Sequence, residues 1–336
     1  MGPSGRDSLW DVSKRLWAVP TGTIAVASSS WSPQSRMMFL LLVVTWGLNY
    51  VFVNLGLGFA TPLWLATLRS GIGAVATLAL VTVFRGWGTL DGPAKRDALL
   101  LGIPNTSLFF GLWFWAARDV PPGIAAVVIY TFPLWVALLS LPVLGHRLGP
   151  KHWAAVAIGF VGVALISQIG QAGGRGVSFT AIALLLGAAF AWALGTVLFQ
   201  RRFRKDQMLE ANAYQVGGGA FGLLAATLVI TPTPLPQGSI DLLATVLWLG
   251  VLGTAVAYAI WFTLLGRIRA APLSAYLFLV PVVALAASAV VFGERLSYAQ
   301  LGGVGLVILS IYGIGRAQLD LPPSSQSGFG GQTAGR

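Results

Sequence analysis

Residues 122–144 are PGIAAVVIYTFPLWVALLSLPVL, a run of 23 residues that carries no charged side chain. A helix rises about 1.5 Å per residue, so a run of this length crosses the roughly 30 Å hydrocarbon core of a bilayer. Residues 271–292, APLSAYLFLVPVVALAASAVVF, form a second uncharged run of similar length. Each run contains a proline, Pro133 and Pro281, and these prolines are 148 positions apart. The two runs therefore predict two membrane-spanning helices at equivalent places of a repeated unit.

The rest of the chain has the same apolar character. Of its residues, 56% are hydrophobic and only 9% are charged, whereas a soluble domain usually carries about 25% charged residues. A β-barrel would show segments of about ten residues with alternating hydrophobicity, so we expect helices. The apolar runs predict ten spans, near residues 37–58, 62–84, 97–116, 122–144, 151–169, 179–199, 210–231, 241–264, 271–292 and 297–315.

An internal repeat relates the two halves of the chain. An offset of 148 residues aligns Trp113-Phe114 with Trp261-Phe262, Ser140 with Ser288, and Gly145-His146-Arg147-Leu148 with Gly293-Glu294-Arg295-Leu296; an offset of 146 aligns Trp46-Gly47 with Trp192-Ala193. Each unit contains five spans, an odd number, so the second unit must enter the membrane from the opposite side. We therefore predict an all-α integral membrane protein with ten transmembrane helices, arranged as two inverted five-helix repeats at residues 37–169 and 179–315. Inverted repeats are a recurring architecture of transporters.

The distribution of positive charge predicts the orientation. If the N-terminus is cytoplasmic, seventeen of the 21 Lys and Arg residues fall in cytoplasmic segments and three fall in external ones. Positive residues accumulate on the cytoplasmic side, so we expect both termini there, in a multi-pass protein of the cell (inner) membrane. Residues 1–36 and 316–336 are predicted to be disordered or loosely ordered cytoplasmic tails. The net charge of +11 lies in these short segments between spans, which argues against nucleic-acid binding.

The motifs, in their order along the chain, resemble a known family. They are Trp46-Gly47-x-Asn49 in span 1, Arg69 in span 2, Pro122 to Pro133 running into Gly145-x-Arg147, and Pro281 running into Gly293-Glu294-Arg295. Their order and repetition resemble the EamA family of the drug/metabolite transporter superfamily, over residues 37 to 315. The resemblance implies a ten-helix basket around a central cavity that exports amino acids or similar metabolites. The Gly-Glu-Arg motif is intact at residues 293–295 but has His146 in place of glutamate in the first half, which argues against a role shared by both halves.

Arg69 is the only charged residue well inside a predicted span. A charge at the bilayer centre costs at least about 2.5–3.5 kcal/mol, so the guanidinium needs partners. It could bind a substrate carboxylate, for which bidentate arginine geometry is suited, or it could bond helix-end carbonyls and stabilise the bundle.

Aromatic and amide side chains complete the predicted site. Aromatic walls with a few polar groups are typical of pockets for small organic molecules, although single residues of this kind often only pack or bond between helices. The predicted substrate-binding residues are Trp46, Asn49, Arg69, Trp113, Tyr130, Trp192, Gln215, Tyr258, Trp261 and Tyr276. Pro133 and Pro281 are predicted hinges, since proline removes a backbone hydrogen bond and can bend a helix.

Other classes of function fit the sequence less well. The chain has no cysteine, and its two histidines, His146 and His152, lie six residues apart in a predicted cytoplasmic segment, so we expect no catalytic centre, metal or cofactor. No acidic residue lies in the interior of a span, which disfavours a buried acidic proton site. The resemblance also implies that broad organic-cation efflux is disfavoured, because small multidrug exporters of that superfamily depend on a glutamate in the first helix and span 1 has none. An intramembrane enzyme, a channel and a broad-specificity drug exporter remain as alternatives to a metabolite carrier. The expected partners are a small-molecule substrate and the lipid bilayer, with the protein as a monomer or weak homodimer.

Overall fold

The computed structural model describes residues 32–84, 87–144, 150–169, 178–265, 279–293 and 297–319, together with residues 273, 277 and 295. These residues are helical, with short connections and no strand among them. The helices are α1 (Pro33–Gly56), α2 (Pro62–Phe84), α3 (Gly92–Ala116), α4 (Pro122–Ile129), α5 (Phe132–Leu144), α6 (Pro150–Ile169), α7 (Phe179–Arg202), α8 (Met208–Ile230), α9 (Ile240–Leu265), α10 (Leu279–Phe292) and α11 (Tyr298–Leu319).

Local sequence signals set several of the helix starts. Ser32 caps α1, because its hydroxyl accepts a hydrogen bond from the Ser35 amide at 3.1 Å. Asp91 caps α3 in the same way, and Ser239 caps α9. Each side-chain oxygen satisfies one of the amides that a helix leaves unpaired at its N-terminus. Helix α1 therefore begins at Pro33, four residues before the predicted start of span 1.

The helices fall on the predicted spans, with differences in apolar length. Among the described residues, seven helices are long and apolar enough to cross a membrane: α1, α2, α3, the α4–α5 segment as far as Leu139, α7, α8 and α9. The spans predicted at 151–169, 271–292 and 297–315 correspond to α6, α10 and α11, whose apolar stretches are shorter, and α11 continues to Leu319, four residues beyond the predicted end of its span. Large apolar side chains on the outside of the bundle, such as Val75, Phe221 and Val290, are at least 69% exposed, which suits contact with lipid.

Two π-helical segments interrupt helices at equivalent places of the two halves. One covers Ile103–Leu108 in α3, and the other covers Trp248–Val256 in α9. Pro104 lacks an amide hydrogen and so removes one regular hydrogen bond from α3. A π-helical turn carries an extra residue, which shifts the side chains that follow it and occurs often at functional sites.

The prolines predicted as hinges stand just after helix starts rather than in the middle of a bent helix. Helix α4 ends at Ile129, a turn covers Tyr130 and Thr131, and Pro133 is the second residue of α5. Pro133 cannot donate to the carbonyl of Ile129, so the helix breaks before it. In the second half, a regular helix would pair the amide of residue 281 with the carbonyl of Leu277, but Pro281 has no amide hydrogen. The Val280 amide donates to that carbonyl instead, at 2.9 Å.

Contacts between the two halves occur in exchanged pairs. Helix α3 packs against α8, and the equivalent pair α9 and α2 also packs together. Helix α5 packs against α7, and α10 packs against α1. Two pairs map onto themselves: α2 with α8, and α6 with α11, where the Ser310 hydroxyl donates to the carbonyl of Ala155. Exchange of the two halves converts each of these helix pairs into another pair that is also in contact, or into itself. This pattern is expected when two halves are related by a two-fold axis.

Several sequence predictions fall outside the described residues. They concern residues 1–31 and 320–336 of the two tails, the motif at Gly145-His146-Arg147, Glu294 of the second motif and the candidate binding residue Tyr276.

Candidate functional site

A narrow cleft with a cavity volume of about 20 Å³ lies in the middle of the bundle, between the two halves. Residues of α1, α2 and α3 and the turn before α5 contribute from the first half, and α7 and α9 contribute from the second. The lining residues are Trp46, Asn49, Tyr50, Arg69, Phe109, Phe110, Trp113, Tyr130, Trp192 and Tyr258. A cavity of this size holds about one water molecule, so this conformation is closed around the cleft and the helices must separate before a solute can enter.

Arg69 is the charged residue of the cleft, and it is only 1% exposed. Its Nε donates to the hydroxyl of Thr254 at 3.0 Å, and its Nη2 donates to the carbonyl of Gly253 at 3.2 Å. The guanidinium carbon lies 3.9 Å above the ring of Phe110, a close cation–π contact. Nη1 has no hydrogen-bond partner among the described residues. Two of the three guanidinium nitrogens are thus held by the protein, and the third has no hydrogen bond within the described residues.

Asn49 binds the same carbonyl as Arg69. Its Nδ2 donates to the oxygen of Gly253 at 3.3 Å, and its Oδ1 has no hydrogen-bond partner among the described residues. Gly253 belongs to the π-helical segment of α9, and a Cβ at this position would collide with the Asn49 amide. The segment thereby holds one unpaired donor with a positive charge and one unpaired acceptor beside each other.

Aromatic rings form the walls of the cleft. The ring centroids of Tyr50 and Trp113 lie 4.7 Å apart, and those of Trp46 and Trp192 lie 5.2 Å apart. Tyr130 meets Trp192 edge to face at 6.3 Å, so the turn between α4 and α5 is held against α7. Contacts of this kind add about 0.5–1.5 kcal/mol each beyond the area that they bury. The walls suit an apolar or aromatic side group.

Seven of the ten predicted binding residues line the cleft: Trp46, Asn49, Arg69, Trp113, Tyr130, Trp192 and Tyr258. Trp261 lies behind them, with its ring 5.7 Å from that of Trp46. The sequence prediction missed Tyr50, Phe109 and Phe110. Helical spacing would have found them, because Tyr50 follows Trp46 by four residues, and Phe109 and Phe110 precede Trp113 by four and three residues.

Gln215 lies outside the cleft, in a chain of buried amides. Asn105 Nδ2 donates to Gln215 Oε1 at 2.6 Å, and Gln215 Nε2 donates to Asn212 Oδ1 at 3.2 Å. All three side chains are 0% exposed. The hydroxyl of Tyr258, which lines the cleft, donates to the backbone carbonyl of Asn105 at 3.4 Å. The amide chain therefore begins directly beside the cleft.

Two carboxylates are buried at the end of the bundle where α3 and α8 begin. Asp97 pairs with Arg202 at 2.6 Å, which joins α3 of the first half to α7 of the second. Glu210 Oε2 accepts hydrogen bonds from the amides of Thr89 at 2.7 Å and Leu90 at 3.1 Å. Both carboxylates hold neighbouring segments together, in agreement with the prediction that acidic residues stand near the ends of spans.

The sequence profile of the EamA-like transporter family matches residues 35–168 and 179–316, which is most of the chain. The chain belongs to the EamA-like transporter family. The resemblance inferred from the motifs is thereby confirmed, and the protein is a membrane transporter with several apolar membrane-spanning helices.

Similar proteins agree with this assignment. A probable amino-acid metabolite efflux pump of Salmonella typhimurium is 32% identical over 296 residues, which are 84% of this transporter and 94% of the relative. An uncharacterised transporter of Bacillus subtilis, YvbV, is 28% identical over 281 residues, covering 83% and 91% of the two chains. A solved crystal structure covers 86% of this chain and 99% of its own with a TM-score of 0.61, and at 20% identity it supports the fold alone.

Proposed function

We propose that this transporter is a secondary carrier that exports a small organic metabolite, an amino acid or a similar solute, by alternating access. The observation that carries the proposal is the central cleft, to which both halves contribute and in which Arg69 and Asn49 share the carbonyl of Gly253. The relatives named as amino-acid metabolite efflux pumps support the class of substrate.

The cleft is chemically complementary to a zwitterion with an apolar side group. Nη1 of Arg69 donates to the solute carboxylate in a charge-assisted hydrogen bond. Oδ1 of Asn49 accepts from the solute ammonium, and the aromatic walls hold the side group. No residue lining the cleft is acidic, so a solute with a net positive charge is disfavoured. The positive charge of the cleft therefore favours a metabolite carrier over a broad exporter of organic cations.

Ten spans in two inverted five-helix halves provide the architecture that this mechanism needs. The two segments matched by the family profile, the paired contacts between halves and the equivalent π-helical segments all support the duplication. In this arrangement the halves rock about the cleft and open it to each side in turn, with both termini on the cytoplasmic side.

Uptake by proteoliposomes loaded with unlabelled solute tests the function. We expect saturable entry of labelled leucine or phenylalanine. Phenethylamine, which keeps the ring and the ammonium but lacks the carboxylate, should enter no faster than it enters protein-free liposomes. A flux that rises linearly with concentration would indicate a channel. Faster entry of phenethylamine would indicate cation efflux, and no flux of any solute in the panel would refute the carrier.

A further inference from the structure

The chain of amides beside the cleft is only partly satisfied. Asn105 Oδ1 lacks a hydrogen-bond partner among the described residues, as do Asn212 Nδ2 and the hydroxyl of Thr106. Asn105, Thr106 and Asn212 are 0% exposed. A buried polar atom without a partner costs about 1–3 kcal/mol, and a half-satisfied network is less stable than an apolar core of the same shape. Stability of this conformation therefore does not explain the cluster.

The unpaired atoms lie at the two ends of the amide chain. The hydrogen bonds run from Asn105 to Gln215 and from Gln215 to Asn212. An unpaired acceptor remains on Asn105, the residue that Tyr258 joins to the cleft, and an unpaired donor remains on Asn212, near the start of α8. The chain thus leads from the cleft toward the end of the bundle where Asp97 and Glu210 are buried.

Close helix packing shuts this route in the present conformation. A Cβ on Gly195 of α7 would collide with the amide of Asn105, and a Cβ on Gly219 of α8 would collide with Thr106. A Cβ on Gly102 of α3 would likewise collide with the backbone of α8. Asn105 and Thr106 of the first half are thus pressed against glycines on two helices of the second half, α7 and α8. Separation of these helices would expose the unpaired atoms to water or to a solute.

We infer that Asn105, Thr106, Asn212 and Gln215 form a second polar station, which binds the head group of the solute on its way between the cytoplasmic face and the central cleft. The inference rests on the proposed function, and it assigns Gln215 to the transport route rather than to the cleft. Amides and a hydroxyl offer both donors and acceptors without a fixed charge. They can therefore hold a carboxylate or an ammonium briefly without trapping it as Arg69 would.

Thiol labelling tests access to the station without any knowledge of the substrate. The chain has no cysteine, so Thr106→Cys introduces a unique thiol of similar size. We expect a membrane-impermeant maleimide to label it from the cytoplasmic face only. The matched control is Thr77→Cys, another buried position, where the hydroxyl bonds the Gly73 carbonyl within its own helix, and it should stay unlabelled. Labelling of Thr106→Cys from the other face only, or from neither face, would overturn the inference.

Transport by apolar variants tests binding at the station. Asn105→Leu, Asn212→Leu and Gln215→Met, combined in one variant, remove both partners of both side-chain bonds and keep the volume, so a merely structural network would leave transport and melting temperature nearly unchanged. We expect the KM measured from the cytoplasmic face to rise about ten-fold while the KM from the other face stays within about two-fold. An equal KM on both faces, at wild-type values, would refute the station. Absence of flux in the wild-type protein would instead refute the carrier itself.

Discussion

At the scale of the single residue, Arg69 is a buried positive charge without a carboxylate partner in the cleft. Its partners are the hydroxyl of Thr254, the carbonyl of Gly253 and the ring of Phe110. These neutral groups lower the cost of burial without cancelling the charge, as an ion pair would. The guanidinium can therefore attract an anionic group from the solute and does not have to exchange a bound carboxylate first.

Replacement of Arg69 separates its binding role from a structural one. Arg69→Gln removes the charge, and the loss of a charge-assisted hydrogen bond of about 1.5–3 kcal/mol should lower kcat/KM for a carboxylate solute about 10- to 100-fold. The melting temperature should not fall with it, because the variant no longer buries a charge. The control is Arg118→Gln, which removes an arginine stacked on Trp115 outside the cleft and should keep full transport. Parallel loss of stability and transport in Arg69→Gln would indicate a structural residue.

At the scale of the helix, the π-helical segment of α9 positions the polar groups of the cleft. Its Gly253 carbonyl binds two side chains from the other half, Asn49 of α1 and Arg69 of α2. Gly253 also allows Asn49 to approach the backbone of α9 closely. The segment therefore determines both where the charge lies and how α1, α2 and α9 meet.

Gly253→Ala tests this positioning. The added methyl group would collide with the Asn49 amide, and overpacking of this kind costs about 1–3 kcal/mol. We expect a melting temperature several degrees lower and a clear loss of solute-induced thermal stabilisation. Gly71→Ala is the matched control, since a Cβ there meets nothing within 4 Å and helix propensity favours alanine by about 0.5–1 kcal/mol. Unchanged solute binding by Gly253→Ala would contradict the positioning role.

The sequence predicts where the helices lie along the chain more fully than which side of each helix points to the cleft. Uncharged runs locate the helices because length and polarity alone determine what can cross lipid. Because these runs are apolar on every side, their composition does not show which side of a helix faces the cleft. For this reason the sequence predicts both Gln215 and Trp46 as binding residues, although only Trp46 lines the cleft. The π-helical segments are also hidden, since one extra residue per turn leaves the composition unchanged. The proline predicts a bend near Pro133, but the complete break at Tyr130 and Thr131 depends on packing.

At the scale of the whole molecule, the two halves contribute unequally to one site. Eight of the ten lining residues come from the first half, while the second half supplies Trp192, Tyr258 and the carbonyl that anchors Arg69 and Asn49. The exchanged helix pairs nevertheless keep the packing of the halves symmetric. Symmetric packing with an asymmetric lining suits the proposed carrier, in which the halves move equivalently around one oriented solute.

The proposed inverted arrangement predicts opposite faces for equivalent loops. The connection between α2 and α3 and the connection between α8 and α9 occupy the same place in the two repeats, so inversion with cytoplasmic termini would put the first in the cytoplasm and the second outside. Gly92→Cys and Gln237→Cys introduce single exposed thiols into or beside these connections in a chain without native cysteine. We expect an impermeant maleimide to label Gly92→Cys only in inside-out vesicles and Gln237→Cys only in intact cells. Labelling of both thiols from one face would exclude inverted repeats, and a reversed pattern would keep the inversion but place the termini outside.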